Sequence, residues 1–495
     1  MLLEKLKNLG SDSLTASSPA APPGKPPTIK SIYQSRHNFG VNFGSLFVQE
    51  SFIFGKFFPD GSNTEFSGVS AYIKEHGLDQ TRKDLEDHWN GFVTDDDWKW
   101  LASVGVTAVR IPIGYWHVNG GLYTKGTPFE KISAVYKNAW PILKNIIKKA
   151  SEYQIGVLID LHALPGGANC SEHSGVENKS AQFWDNSKYQ KATFTLLEFI
   201  TDDVKSFDNI VGLQIVNESE FSNDAKAQQR YYAHALKKIR GVDPGIPVII
   251  SDGWWPDQWV KWLQKEEKSG VGSSGIVIDT HVYRCFSEDD KKKSPEQIIQ
   301  DLDKDVLTNL SGSADFIVGE YSCVLDGASY QSAQHDRNEL VKQYGQKQSE
   351  IFSNRANAGS YFWTLKFEHG DGGEWGFIPQ VNNGAIPKHP TSANIPSDDK
   401  FNEIVEQEYK AHSQYWDQEN PKEKWEHWRY REGFTTAWAD SIEFAKFNGS
   451  VIGRTTAWRN ARLQEHVSAR GDSGFVWEWE QGFDKALAIF KQVAF

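Results

Sequence analysis

Cysteine is scarce in this chain: Cys170, Cys285 and Cys323 form an odd, sparse set. That excludes the disulfide framework of a small secreted protein and makes the cytoplasm the expected location. Positive charge is short as well. Lys and Arg number 53 against 65 Asp and Glu, and the formal net charge of −12 argues against nucleic acid as a partner. No apolar run approaches the roughly 20 residues that cross a bilayer, so no transmembrane segment is expected. A hydrophobic signal core is missing too. Met1–Lys30 is polar, then rich in Ser, Ala and Pro, and reads as a flexible lead-in.

What the chain does have is a series of apolar runs that end in polar residues. Ile210 to Glu218 (Ile-Val-Gly-Leu-Gln-Ile-Val-Asn-Glu) reads as a buried strand that stops abruptly at an amide and a carboxylate. A carboxylate at the tip of a buried parallel strand faces a crevice. Desolvation there raises its pKa toward the range a proton donor needs. The plainer use of Asn217 and Glu218 is to open a loop or cap a helix.

Seven more strands repeat the pattern: one from Asn38, then Gly105–Ile113, Ile155–Leu161, Ile246–Ser251, Ile276–Thr280, Asp315–Gly319 and Ser360–Thr364. Helical stretches such as Leu78–Trp89, Ser187–Ser206 and Arg337–Ala356 lie between them. This alternation predicts an α/β fold, a (β/α)8 TIM barrel, over residues 31–400. An open doubly wound sheet would carry a Gly-rich phosphate turn after its first strand. Neither Gly40-Val-Asn-Phe-Gly-Ser nor Gly370-Asp-Gly-Gly has the spacing and place for it. From 401 to 495 the chain turns charged and Trp-rich, with Trp416, Trp425 and Trp428 close together. It reads as a helical C-terminal extension packed on the barrel, since no Pro/Gly/Ser linker sets it apart.

Barrel enzymes place their chemistry at the C-terminal ends of the strands. The residues there are Glu50, Arg110, His162, Asn217, Glu218, His281, Tyr283, Glu320 and Trp363. Each alone has a packing or salt-bridge explanation. A polar set at the same end of so many strands does not, because buried charge is costly unless paired or functional. Glu218 and Glu320 leave the fourth and seventh strands, across the barrel mouth from each other. Such a pair suits glycoside hydrolysis. Metal ligation by the histidines and glutamates is the competing use, although their spacing matches no compact ligand motif.

Asn217-Glu218 after an apolar strand, Val318-Gly-Glu-Tyr-Ser, His281-Val-Tyr, Arg110-Ile-Pro-Ile-Gly-Tyr-Trp and Phe362-Trp-Thr resemble glycoside hydrolase family 5 of clan A. The passages Asp160-Leu-His-Ala-Leu-Pro-Gly-Gly-Ala-Asn-Cys, Ser251-Asp-Gly-Trp-Trp-Pro and Phe475-Val-Trp-Glu-Trp-Glu-Gln-Gly are most similar to the fungal exo-β-1,3-glucanase-like members, and among those to an intracellular yeast branch of β-glucosidases. The resemblance runs from about Ser31 to the end. It implies a retaining exo-acting β-glycosidase with Glu218 as acid/base and Glu320 as nucleophile. It implies that Asn217 holds the sugar 2-hydroxyl, that Arg110 and Tyr283 orient Glu320, and that His281 supports Glu218. His162 and Glu50 would bind further hydroxyls over a Trp363 floor, and Phe286 would clamp the aglycone side.

The expected partner is a small β-glycoside or oligosaccharide, with no cofactor or metal required and a monomer as the working form. Phe183, Trp184, Trp254 and Trp255 are further candidates for the aglycone rim. The identity of the sugar, glucose, xylose or a uronic acid, stays open, as do a glucosylceramide or steryl glucoside aglycone. A transglycosylase shares every residue named, and a carbohydrate-binding pseudoenzyme shares the cleft.

Overall fold

The computed structural model describes residues 25–267, 274–310 and 312–495. Most of the lead-in, residues 1–24, lies outside them. Eight parallel strands close into a barrel in sequence order. They are β1 (Asn38–Asn42), β2 (Ala108–Gly114), β3 (Gly156–Ala163), β4 (Ile210–Gln214), β5 (Val248–Ser251), β6 (Ile276–Arg284), β7 (Asp315–Leu325) and β8 (Gly359–Phe362). β8 pairs back on β1 through Gly40↔Tyr361, so no strand edge is left open.

A helix, α1 (Ile29–Ser35), precedes the barrel. Around it run α2 (Glu65–His76), α3 (Leu78–Gly91), α4 (Asp95–Ser103), α5 (Ala139–Glu152), α6 (Ser187–Val204), α7 (Lys226–Arg240), α8 (Pro256–Glu267), α9 (Pro295–Asp305) and α10 (Arg337–Arg355). Local sequence explains their starts. Thr94 and Asp97 form a reciprocal capping box at α4, Ser294 and Gln297 do the same at α9 with Pro295 in the first turn, and Asn186 and Asp336 cap α6 and α10.

The barrel interior is layered. Ala108, Leu158, Val211, Ile249, Val277, Ile317 and Tyr361 fill the end at which the strands begin. Above them comes a polar layer of Asn42, Arg110, Asp160, Gln214 and Asp279, all buried. Two glycines make room for it. A Cβ on Gly40 would lie 2.2 Å from the Tyr361 ring, and one on Gly319 would lie 2.3 Å from the Asp279 carboxylate.

β6 and β7 run further than their apolar runs predict. Pairing continues past register shifts to His281↔Glu320 and Val282↔Tyr321. Such a bulge re-aims side chains. Here it keeps His281, Tyr283 and Glu320 on paired strands rather than in loops. β4 does the opposite: its ladder stops at Gln214, and Ile215–Glu218 form its exit.

After a short helix at Phe377–Asn382, four longer helices close the chain: α11 (Asp398–Glu419), α12 (Trp428–Lys446), α13 (Thr455–Arg470) and α14 (Val476–Ala494). They build a second apolar core around Phe434, Trp438, Trp458, Trp479 and Phe483. This unit seats on the strand-start end of the barrel. Arg454 donates to the Gln34 and Gly275 carbonyls, and Asp315 at the start of β7 accepts from the Thr456 and Ala457 amides that open α13. The Trp-rich extension thus lies on the face opposite the carboxylate pair.

Candidate active site

The barrel mouth is organised on Arg110 from β2. Its side chain has no exposure, and an unpaired charge there would be prohibitive. A guanidinium has five N–H groups, and each of its three nitrogens here faces acceptors. Nε donates to Gln214 Oε1 at 3.0 Å; Nη1 donates to Asn42 Oδ1 at 2.8 Å and to Glu320 Oε1 at 2.9 Å. Nη2 donates to Asn217 Oδ1 at 2.7 Å and faces Asp160 Oδ2 at 2.9 Å. The other oxygen of Glu320 accepts from the Tyr283 hydroxyl at 3.0 Å. Glu320 is therefore gripped on both oxygens by a cation and a phenol.

Glu218 sits at the exit of β4 with a left-handed backbone, φ 42°. Its Oε1 lies 2.8 Å from His281 Nδ1, and His281 Nε2 lies 3.1 Å from Asp279 Oδ2. Burial works against charge on His281, but Glu320, Asp279 and Glu218 outweigh it and hold the imidazole well above its usual range. Burial likewise favours the neutral form of Glu218. The hydrogen bond from His281 overrides it and pulls the carboxyl down to about 2. The expectation that burial raises the Glu218 pKa is corrected here: the hydrogen bond from His281 outweighs burial.

His162 takes the opposite state. Burial lowers it to about 3, against the pull of Glu320, so it is neutral at pH 7. Its Nδ1 lies 2.6 Å from Asp160 Oδ2, and its Nε2 faces Asn217 Nδ2 at 3.4 Å. Burial pushes Asp160 up to about 7, with Arg110 opposing. Glu50, on the exit of β1, is raised well above the carboxylate range by burial, reinforced by the charges of Glu320 and Glu218. That surround favours its protonated form, which can donate a hydrogen bond. The Trp363 ring lies parallel to His162, 6.0 Å away at 9°.

The structure thus brings Glu50, Arg110, His162, Asn217, Glu218, His281, Tyr283, Glu320 and Trp363 to one place. Phe286 lies on the rim at 65% exposure, edge-on to Tyr283 at 5.5 Å. Trp254, 53% exposed, approaches His281 from the other side with ring centres 6.4 Å apart. Phe183 and Trp184 do not belong to the rim. Both are buried against Tyr231, and the Trp184 indole donates to the Ala168 carbonyl.

Sequence reasoning missed Asn42, Asp160, Gln214, Asp279 and His173. The first four are polar residues inside strands that otherwise read as apolar, and that mismatch was the available signal. His173, whose Nε2 lies 3.5 Å from Glu218 Oε2, sits in a polar loop with nothing in its surroundings to mark it.

Two carboxylates at the C-terminal mouth of a (β/α)8 barrel, one gripped by Arg and Tyr and one by His, define a glycoside-hydrolase type of site. Residues 68–368 match the family of cellulases described as glycosyl hydrolase family 5, and residues 397–494 match the C-terminal domain of glucan 1,3-beta-glucosidase 3. The chain belongs to glycosyl hydrolase family 5.

It is 42% identical to an uncharacterized glycosyl hydrolase of Saccharomyces cerevisiae, over 99% of this chain and 97% of that one. It is 33% identical to glucan 1,3-beta-glucosidase 3 of Schizosaccharomyces pombe, over 94% of this chain and 97% of the relative. Among solved structures, a rutinosidase from Aspergillus niger shares the barrel, with a TM-score of 0.57 at 21% identity over 71% of this chain and 98% of that one. The protein is an enzyme that hydrolyses β-glycosides.

Proposed function

We propose that the enzyme is a retaining, exo-acting β-glucosidase working through a covalent intermediate on Glu320. The observation that carries this is proximity. Oxygens of Glu218 and Glu320 and a nitrogen of His281 all lie within 4.8 Å of one another. Retaining enzymes hold their carboxyl groups about 5 Å apart, whereas inverting enzymes need roughly 6.5–9.5 Å to admit a water between them.

In the first step a Glu320 oxygen forms a bond to the anomeric carbon as the glycosidic C–O bond breaks. The Glu218 proton passes to the departing oxygen. In the second, water loses a proton to Glu218 and attacks the same carbon, and the Glu320 carboxylate leaves. Arg110 and Tyr283 hold Glu320 in line, Asn217 presents its amide to the 2-hydroxyl, and His162 and Glu50 bind other hydroxyls over Trp363. His281 acts as the local proton store. Glu320 is the strongest of the charges that keep it protonated. The Glu218 proton leaves with the aglycone, so Glu218 faces water in the second step as a base, and esterification of Glu320 removes a negative charge that would oppose its ionisation.

Glucose as the terminal sugar is supported by the glucosidase names of the relatives. A cytoplasmic location is supported by three unpaired thiols, Cys285 and Cys323 both buried. A monomer is the working form we assign. Exposed aromatics beside the mouth, Trp254 next to His281, Trp255 against Phe221, and Phe286 next to Tyr283, favour an apolar aglycone over a soluble glucan chain.

The test is a screen of aryl β-glucoside, xyloside, glucuronide and galactoside with the wild type beside Glu320→Gln. Hydrolysis of the glucoside by the wild type alone, with the β-anomer of glucose released first, is the expected result. Release of the α-anomer, or retention of most activity by Glu320→Gln, overturns the mechanism. Dominant transfer products at low acceptor concentration would make the enzyme a transglycosylase.

A further inference from the structure

The loop after β8 holds the glycine-rich turn Gly370-Asp-Gly-Gly, followed by Glu374 and Trp375. None of the roles given above uses it. The glycines let the chain double back within a few residues. Gly372 has φ 78°, and a Cβ there would lie 2.1 Å from the Phe367 ring. The turn therefore delivers Trp375 to the barrel mouth.

Trp375 is fixed through its backbone and its neighbour. Its carbonyl accepts from the Thr364 amide at 2.8 Å. Glu374 accepts a two-pronged bond from Arg337 at the start of α10, Nε to Oε1 at 2.7 Å and Nη2 to Oε2 at 3.0 Å. The indole meets three other rings. Phe52, after β1, lies 6.3 Å away between centres at 61°; Tyr283 lies 5.7 Å away at 47°, and Phe286 6.3 Å away at 35°. The loop that carries Phe52 is tied down too. Glu368 Oε2 accepts from the Gly55 and Lys56 amides at 2.7 and 3.1 Å, and the Glu368 amide donates to the Ile53 carbonyl. An arc of rings from the exits of β1, β8 and β6 thus stands beside Glu320, whose Oε2 accepts from the Tyr283 hydroxyl.

The fold does not need this arc for its own core. Phe52 is 55% exposed, Phe286 is 65% exposed and Trp375 is half-buried. Among the described residues, none accepts from the Trp375 indole N–H. Rigid apolar surface left open at the mouth of a pocket is surface that a ligand covers.

We propose that Trp375 is the platform of the aglycone subsite, and that it selects an aryl aglycone over a saturated one of the same size. This deepens the glycosidase reading and rests on it. An aryl group offset-stacked or edge-on to the indole gains quadrupole attraction beyond the area it buries, and a saturated ring gains less. The arc is already ordered, so little conformational freedom is lost when the aglycone seats. Phe52 and Phe286 flank the platform, and Tyr283 joins it to the nucleophile.

The experiment compares benzyl and cyclohexylmethyl β-glucosides on the wild type, Trp375→Leu and Trp375→Phe. Both leaving groups are primary alcohols of similar acidity and size, so they differ mainly in the ring. Any loss that reaches Glu320 through Tyr283 is common to the two substrates and cancels in the ratio of their kcat/KM values. In the wild type that ratio should favour the benzyl glucoside about fivefold. Trp375→Leu should bring it close to unity, and Trp375→Phe should hold it within about twofold of the wild type. A wild-type ratio near unity, a ratio that Trp375→Leu leaves in place, or one that falls as far in Trp375→Phe would overturn the proposal.

Binding supplies a second readout that needs neither turnover nor the leucine variant. In Glu320→Gln labelled with 5-fluorotryptophan, the Trp375 fluorine signal is assigned by its absence from Glu320→Gln/Trp375→Phe. Benzyl β-glucoside should shift that signal more than cyclohexylmethyl β-glucoside does. No shift with either would overturn the proposal. Failure of the wild type to hydrolyse any glycoside counts against the glycosidase reading instead, and the fluorine signal then decides the platform separately.

Discussion

Arg110 and Glu320, 210 positions apart in sequence, meet at 2.9 Å with neither exposed enough for water to screen them. The contact sets the register of the whole mouth, since the same guanidinium also fixes Asn42, Asp160, Gln214 and Asn217. Arg110→Met should cost about 3–5 kcal/mol of folding stability, because it leaves Glu320 and Asp160 as buried, uncompensated acids. Activity should fall about a hundredfold or more even at temperatures where the variant is folded. Denaturant melts and aryl-glucoside assays check the two parts. A stable, active Arg110→Met would mean that the carboxylates are not charged as drawn.

Glu50 gives a pH dependence of definite sign. Its carboxyl is raised in the folded protein, so its contribution to stability is fully present below the unfolded carboxylate range. It is lost as pH rises through the folded value. Glu50→Gln keeps the shape without the proton. The gap between wild-type and Glu50→Gln melting temperatures should therefore change in favour of the variant as pH rises from about 4.5. A gap independent of pH would place the Glu50 proton elsewhere.

Glu478 in α14 joins the second core. It accepts from the Glu426 amide at 2.9 Å and pairs with His412 Nε2 at 2.8 Å and His427 Nδ1 at 2.6 Å. Burial opposes ionisation, but the two histidines prevail and lower its pKa. Its stabilisation is present above the ordinary carboxylate range and lost as pH falls through the lowered value. Glu478→Ala should cost about 2–4 kcal/mol. The emission of the surrounding Trp416, Trp425 and Trp477 should report the change, while Glu218 and Glu320, on the far face, keep their geometry. Activity lost in step with that emission, at pH where the barrel is folded, would show that the two ends are coupled.

The rim aromatics should act on binding rather than chemistry. Phe286→Ala or Trp254→Ala should raise KM for an apolar aglycone about tenfold, with kcat changed little, as expected for about 1–2 kcal/mol of apolar burial. A methyl glucoside should be almost unaffected by either change. Equal effects on both substrates would remove these rings from the aglycone side.

The alternation of apolar runs and the polar residue after each were legible along the chain, because strand periodicity and strand ends are local properties. That reading reached the barrel, both glutamates, and Arg110, Tyr283 and His281 that meet them. Other features were not local. The bounds of helix α11, begun by Ser397 and acidic in its first turn, were not marked by an apolar run, because its inner face is defined by packing on α12, as where Phe401 meets Trp438. Phe183 and Trp184 read like rim aromatics, and only the approach of Tyr231 from α7 places them in the core.

The sequence by itself determined which groups could carry the chemistry, and at which end of which strands they stand, since a buried run fixes where its last polar residue emerges. Only the tertiary structure decided their protonation. How readily Glu218 holds its proton depends on the hydrogen bond from His281 and on the nearby His173 and His162, and a pKa follows from distances of a few ångströms between residues tens to hundreds of positions apart.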